Sequence, residues 1–266
     1  MIAAVRAELI KLRRPRLAFG VLGAVVVLGI LATVLIFATA KDTAQVFNSG
    51  RPAAVRFSLR DLAAATGPTR GFTIGAGFGG VVILVLFTVS VASEFGAGTL
   101  RTLLLVDPHR LRVVAGKVLA LAAFAAAGFL LTEIAATATA FLFAQIRGIS
   151  TTHWISGDGV RAWISAYGDT TLAGLAWGLA GAAIGVIFRT VPLALAVAVA
   201  WFFPFENILH TTWAGADRWF PGLLFQGLGA GTGGALSWGR AGLMITVYLA
   251  ALIAIAATTL TRRDIA

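Results

Sequence analysis

An all-α bundle that crosses a membrane six times is the fold this sequence predicts, and three observations predict it. Hydrophobic residues make up 59% of the 266 positions, charged residues only 12%, and the mean hydropathy is +0.91, whereas a soluble domain carries about 25% charged residues. Six apolar stretches stand in the chain, each near the roughly 20 residues that a helix needs to cross a bilayer. Within them glycines recur at spacings of three and four, the pattern that lets helices approach closely in lipid. A water-soluble globule is excluded. The formal charge of +10, from 21 Lys and Arg against 11 Asp and Glu, reads as membrane topology rather than as a nucleic-acid footprint. With no cysteine and three histidines, thiolate chemistry is excluded and no metal-ligand spacing occurs.

The first span covers 17–40, 24 uncharged positions directly preceded by Arg13, Arg14 and Arg16. It is too long for the apolar region of a typical signal peptide, although Ala38-Thr39-Ala40 resembles a cleavage site. The second covers 71–93 and opens on Gly71, Gly75, Gly77, Gly79 and Gly80, which thin one surface of the helix. Gly75, Gly77 and Gly80 also spell G-x-G-x-x-G, but that fingerprint needs a preceding strand in a soluble unit, and here it lies inside a span. The third, 117–146, is apolar from Val118 to Ile146 except at Glu133 and is long enough that it must tilt, kink or project. The fourth, 169–188, carries Gly174, Gly178, Gly181 and Gly185, a small-residue ridge suited to helix packing. Arg189 and Thr190 leave only a tight turn before the fifth, 191–208, with Pro192 in its first turn, where a missing N–H costs little. The sixth, 240–261, is followed by Arg262 and Arg263.

Six crossings put both termini on one side. Arg6, Lys11, Arg13, Arg14 and Arg16 precede the first span, and basic residues there favour a cytoplasmic N-terminus. The same residues can anchor the leading segment to anionic lipid, at about 1 kcal/mol per basic residue near the surface. Trp154, Trp163, Trp213, Trp219 and Trp238 all fall in the opposite, outer connections, as an aromatic belt at one interface would. The outer connection 209–239, with Phe220-Pro-Gly-Leu-Leu-Phe225 and the Gly227 to Gly234 series, is too apolar for a solvated loop and too broken for a span. It suits a re-entrant segment buried against other helices, or a loop lying among the headgroups.

No G-x-x-x-x-G-K-[ST] phosphate loop, G-x-S-x-G elbow or H-E-x-x-H helix occurs. The chain is therefore expected to be no enzyme and to hold no cofactor, and any ATP would be bound by another polypeptide. The most informative segment is the connection after the second span, Glu94-Phe-Gly-Ala-Gly-Thr-Leu-Arg101-Thr-Leu-Leu-Leu-Val-Asp-Pro108-His-Arg110. Thr99 to Val106 can form two helical turns, with Gly98 or Thr99 as N-cap and Pro108 as a stop. Leu100, Leu103 and Leu104 then share a face. Such a stripe needs a cover: a partner, its own bundle, or lipid.

The string Glu94 to Arg101, followed by Pro108, Arg110 and then Lys117 as the next span begins, resembles the permease subunits of ATP-binding cassette transporters of the ABC-2 type. Glu8-Leu-Ile-Lys-Leu-Arg13 is similar to that family's segment before span one. The resemblance implies a coupling helix at 98–106 docked on a separate cytoplasmic ATPase that holds ATP and Mg. It also implies an interfacial elbow helix over residues 1–14, short extracellular re-entrant helices before the last span, and two permeases, identical or paralogous, with two ATPases in the plasma membrane. Glu94, Arg101 and Arg110 would form a charged rim that orients the leucines.

Three acids lie within or at the ends of spans. At about 1.5 Å rise per residue, Glu133 stands roughly 24 Å from Lys117, Glu206 roughly 25 Å from Arg189 and Asp169 roughly 30 Å from Arg189, all in the outer half. They either line an outer pathway or pair with Arg147, Arg161 or Arg218. Two other functions compete with the export permease: an ion-gradient carrier in which Glu133 titrates, against which no internal repeat is visible, and a membrane assembly protein without transport.

Overall fold

The structure is a computed structural model that describes residues 15–41, 57–96, 109–231 and 236–262, for residues 15–18 and 110 as backbone only. Of the described residues 87% are helical and none forms a strand. Six stretches are long and apolar enough to cross a membrane, as a multi-pass protein requires: Phe19–Thr39, Gly67–Gly96, Leu111–Arg147, Gly157–Phe188, Val191–Thr212 and Trp238–Arg262. In chain order the helices are α1 (Pro15–Thr39), α2 (Leu59–Ala63), α3 (Arg70–Gly96), α4 (Arg110–Arg147), α5 (Gly157–Phe188), α6 (Val191–Ala200), α7 (Glu206–Thr212), α8 (Pro221–Gly229) and α9 (Trp238–Arg262).

Contacts between helices fix their directions. Gly29 of α1 meets Gly75 of α3 while Val25 meets Gly79, so these two are antiparallel. Gly80, Gly181 and Gly185 bring α3 and α5 together with Trp177, Leu84 and Thr88 as their respective partners, so these two run parallel. Asp169 and Arg189 of α5 reach Trp238 and Thr259 of α9, so α9 runs the same way. The end where α3, α5 and α9 finish and α4 begins is the foot of the bundle, and the other end is the crown. α5 is the most enclosed span, and α9 and the α6–α7 segment are the least.

Two cores share α5. One holds Phe72, Phe87, Leu121 and Phe129 between α3, α4 and α5. The other surrounds Trp177, which stacks on Phe203 at 5.9 Å and meets Phe202 and Phe225 edge-on at 5.0 and 5.1 Å. A third cluster closes the crown around Phe37, Leu62 and Trp154. There Ser58 begins α2 with a reciprocal cap: its hydroxyl accepts from the Asp61 N–H at 3.1 Å and its own N–H donates to the Asp61 carboxylate at 2.9 Å. These bonds hold the Asp61 carboxyl below the usual carboxylate range.

Several boundaries differ from expectation. The fourth span begins at Gly157 rather than at 169, because Ser156 caps the helix, accepting from the Gly159 N–H at 3.2 Å. Its charged first turns, with Asp158 and Arg161, are helical although too polar for a hydrophobicity reading to include. The third span is one unbroken helix of 38 residues, about 57 Å long at 1.5 Å per residue. It therefore exceeds the roughly 30 Å hydrocarbon thickness. The fifth span is not a plain helix: a π-helical turn at Trp201–Phe205 holds Pro204 and separates α6 from α7. A proline removes one backbone donor and collides with the carbonyl four residues back, and a wider turn accommodates both effects.

Trp154 does not belong to an interfacial aromatic belt. It is buried, touches Phe37 and Phe141 edge-on, and donates its indole N–H to the Leu62 carbonyl at 2.9 Å. Trp213, Trp219 and Trp238 remain exposed near the crown.

Candidate functional site

The residues singled out by sequence fall at three levels. Most of the expected coupling segment, including Gly98, Thr99, Leu100, Arg101, Leu103, Leu104 and Pro108, lies outside the described residues, as do Arg6, Lys11, Arg13 and Arg14. Arg16 and Arg110 are placed only as helical backbone in α1 and α4. Glu94, expected in the charged rim of the coupling segment, pairs with the start of the third span. Its Oε1 accepts from Lys117 Nζ at 2.8 Å, with the two side chains 13% and 8% exposed. A long-range ion pair of this kind leaves no trace in local spacing, since its partners are 23 residues apart and on different helices.

At the same end of the bundle, Arg189 ends α5 in the left-handed conformation with φ +60°. One of its terminal nitrogens donates to the Thr259 carbonyl of α9 at 3.1 Å, and its guanidinium carbon stands 5.4 Å above the Phe95 ring of α3. The ends of α3, α4, α5 and α9 are thus tied together at the foot. The segment 97–108 joins two of them, α3 and α4.

At mid-height the glycine ridge of α5 meets two neighbours. A methyl group on Gly178 would stand 2.9 Å from the Phe87 ring, and one on Gly181 would stand 2.5 Å from the Leu84 carbonyl and 2.7 Å from the Thr88 hydroxyl. At Gly185 it would meet the Thr88 carbonyl at 3.0 Å, and at Gly174 it would collide with the Phe129 ring of α4. α5 therefore lies backbone to backbone on α3 in the way small residues permit. In α3, Gly71 and Gly75 approach α1, Gly80 receives Trp177, and Gly77 faces open space.

Towards the crown the three acids have separate environments and do not pair with Arg147, Arg161 or Arg218. Arg147 spends its guanidinium on the Ala38 and Ala40 carbonyls, at 3.1 and 2.6 Å, closing the end of α1. Asp169 accepts the Trp238 indole N–H at 2.8 Å, joining α5 to the start of α9. Glu206, fully buried, follows the π-helical turn and accepts the Leu223 N–H at 3.1 Å. That N–H is one of the donors that the first turn of α8 leaves without an intrahelical acceptor. Gly222 makes room, since a methyl on it would lie 2.6 Å from Glu206 Oε2. Thr170 of α5 adds a long hydrogen bond, 3.4 Å, to the Gly229 carbonyl at the other end of α8. Leu223, Leu224, Phe225 and Leu228 are buried.

Glu133 differs from the other two acids. It is completely buried in α4 and neither carboxyl oxygen has a hydrogen-bond partner. A buried polar group without a partner costs roughly 1–3 kcal/mol. Glu133→Leu is therefore expected to stabilise the detergent-purified protein by about that amount in thermal unfolding. An unchanged or lowered stability would mean that the carboxyl is hydrogen-bonded in the purified protein.

The described residues contain no cluster of three or more His, Cys, Asp or Glu able to hold a metal ion. A small cavity of about 20 Å³ lies between α3, α5 and α8, lined in part by Thr73, Thr170, Gly174 and Gln226. A larger apolar groove of about 370 Å³ runs between the foot halves of α4, α5 and α9. No protein-family model, curated protein or solved structure matches this chain.

Proposed function

We propose that this chain is the membrane-spanning permease subunit of an ATP-driven exporter, powered by a separate cytoplasmic ATPase that grips the 94–110 connection at a coupling helix over 98–106. The observation that carries the reading is the character of that segment. Between α3 and α4 it offers Leu100, Leu103 and Leu104 at helical spacing, bounded by Pro108, within the string Glu94 to Arg101 and Arg110 that resembles ABC-2 permeases. Its flanks support a mechanical role, because the ends of α3 and α4 are joined by the buried Glu94–Lys117 pair. The sequence holds no phosphate-binding loop of its own, so hydrolysis belongs to the partner, with its ATP and Mg.

In this reading the foot faces the cytoplasm, both termini lie on that side, and residues 1–14 form an interfacial elbow rich in basic residues. Two permease copies, or this chain and a paralogue, would enclose the pathway in the plasma membrane. Closure of the ATPase pair would push on 97–108 and tilt packed helices as rigid bodies. α8 would be a re-entrant helix at the outer side, bracketed by Glu206 and Asp169.

The test is co-purification. The tagged chain, extracted in mild detergent, is expected to bring down a cytoplasmic ATPase. Leu103→Asp with Leu104→Asp should abolish that association, each removing an apolar anchor worth about 2 kcal/mol at a typical interface hot spot. ATPase retained at wild-type levels by this double variant, or no ATPase with the wild-type chain, would overturn the reading.

A further inference from the structure

Beyond the site of attachment, the foot of the bundle carries two costly features. One is the Glu94–Lys117 pair, almost wholly removed from solvent, where desolvation offsets much of the attraction and apolar residues would stabilise as well. The other is Arg189, a non-glycine residue held in the left-handed region at a helix C-terminus, where glycine is the favoured occupant. Neither is needed merely to end a helix. Both connect helices: Glu94 and Lys117 join α3 to α4, and Arg189 reaches from α5 to the Thr259 carbonyl of α9 and the Phe95 ring of α3.

We infer that Glu94, Lys117 and Arg189 form a strut that makes the feet of α3, α4, α5 and α9 move as one body, so that displacement of segment 97–108 is passed to α5 and α9. All three are positioning residues. Glu94 lies three residues before the segment, and its neighbour Phe95 is the face on which Arg189 rests. The ion pair makes α3 and α4 share any load applied between them, and Arg189 carries it sideways. The source of the displacement rests on the proposed ATPase; the strut itself is a property of this chain and is testable without one.

The chain has no cysteine, so spin labels can be placed cleanly at Gly96→Cys on α3 and Thr258→Cys on α9, both exposed. Distances are read by pulsed electron resonance in lipid nanodiscs. The parent protein should give one narrow distance. Arg189→Gly should keep or raise thermal stability, because glycine relieves the left-handed backbone, yet broaden the α3–α9 distance. With labels at Gly96→Cys and Leu119→Cys, Glu94→Lys and Lys117→Glu alone should each broaden the α3–α4 distance, and the double exchange should restore it. Glu94→Gln provides a milder variant that should broaden that distance also if the charge exchanges fail to fold.

Narrow, unshifted distances in Arg189→Gly and in Glu94→Gln would overturn the strut. So would a broadening that the double exchange, once folded, does not reverse. Failure to capture an ATPase leaves these distances untouched, so the strut and the functional reading fail separately.

Discussion

Gly181→Ala will destabilise this protein although it adds a single methyl group, while Gly77→Ala, the same change one helix away, will not. At Gly181 the added carbon would lie 2.5 Å from a backbone carbonyl oxygen and 2.7 Å from a buried threonine hydroxyl, whereas at Gly77 nothing stands within 4 Å. Leu84 and Thr88 cannot swing aside: the carbonyl belongs to the α3 backbone, and the Thr88 hydroxyl donates to that same carbonyl at 2.7 Å. The two helices must separate instead, giving up contacts along a close parallel packing. Overpacking of this kind costs typically about 1–3 kcal/mol. Gly77→Ala should be neutral or stabilising by roughly 0.5–1 kcal/mol, because alanine loses less backbone entropy in a helix. Gly178→Leu, driven into the Phe87 ring, should be worse than Gly181→Ala and should reduce assembly. Thermal unfolding of the purified variants decides the matter, and equal stability of the two alanine variants would show that α3 and α5 do not pack at this distance.

The second large effect is expected at Glu206. Glu206→Ala strands the Leu223 N–H in a buried position and removes the side-chain acceptor at the start of α8. The expected loss is about 1–3 kcal/mol of local stability, so amide exchange at Leu223, Leu224 and Phe225 should quicken roughly 5- to 150-fold. Glu206→Gln keeps an acceptor and should fall between that variant and the parent. Gly222→Ala should act in the same direction as Glu206→Ala by pushing the carboxylate away from the turn. The π-helical turn with Pro204 immediately before Glu206 makes this region separable from α6, so exchange in Val191–Ala200 should stay slow. Uniform acceleration through α6 would mean that Glu206 supports the whole fifth span rather than α8 alone.

Some of this organisation is legible along the chain. Uncharged runs of about 20 residues identify the spans, because each must satisfy its backbone internally and expose apolar side chains to lipid. The glycine spacing in α5 and the odd apolar connection before α9 are visible for the same reason: they break the statistics of their surroundings. Span ends are less visible. Asp158 and Arg161 are helical because Ser156 caps the helix, not because the segment is apolar, and a hydrophobicity reading stops short of them. Pro204 sits in a run that reads as one span, yet it splits the helix.

Partners are the part that spacing does not contain. Glu94 reads as a rim charge, and only the approach of α3 to α4 delivers Lys117 to it. Arg147 reads as a counter-ion for an outer acid and caps the carbonyls of α1. Trp154 reads as an interfacial residue and fills the crown. Composition, charge placement and small-residue periodicity by themselves determined that this is a helical chain with six stretches able to cross a membrane and which helix face packs closely, because lipid imposes those requirements on each segment alone. Which acid is satisfied, which stays unpartnered and which helix ends are tied at the foot were decided only by tertiary structure, because hydrogen bonds and ion pairs act over about 3 Å between residues that lie tens of positions apart.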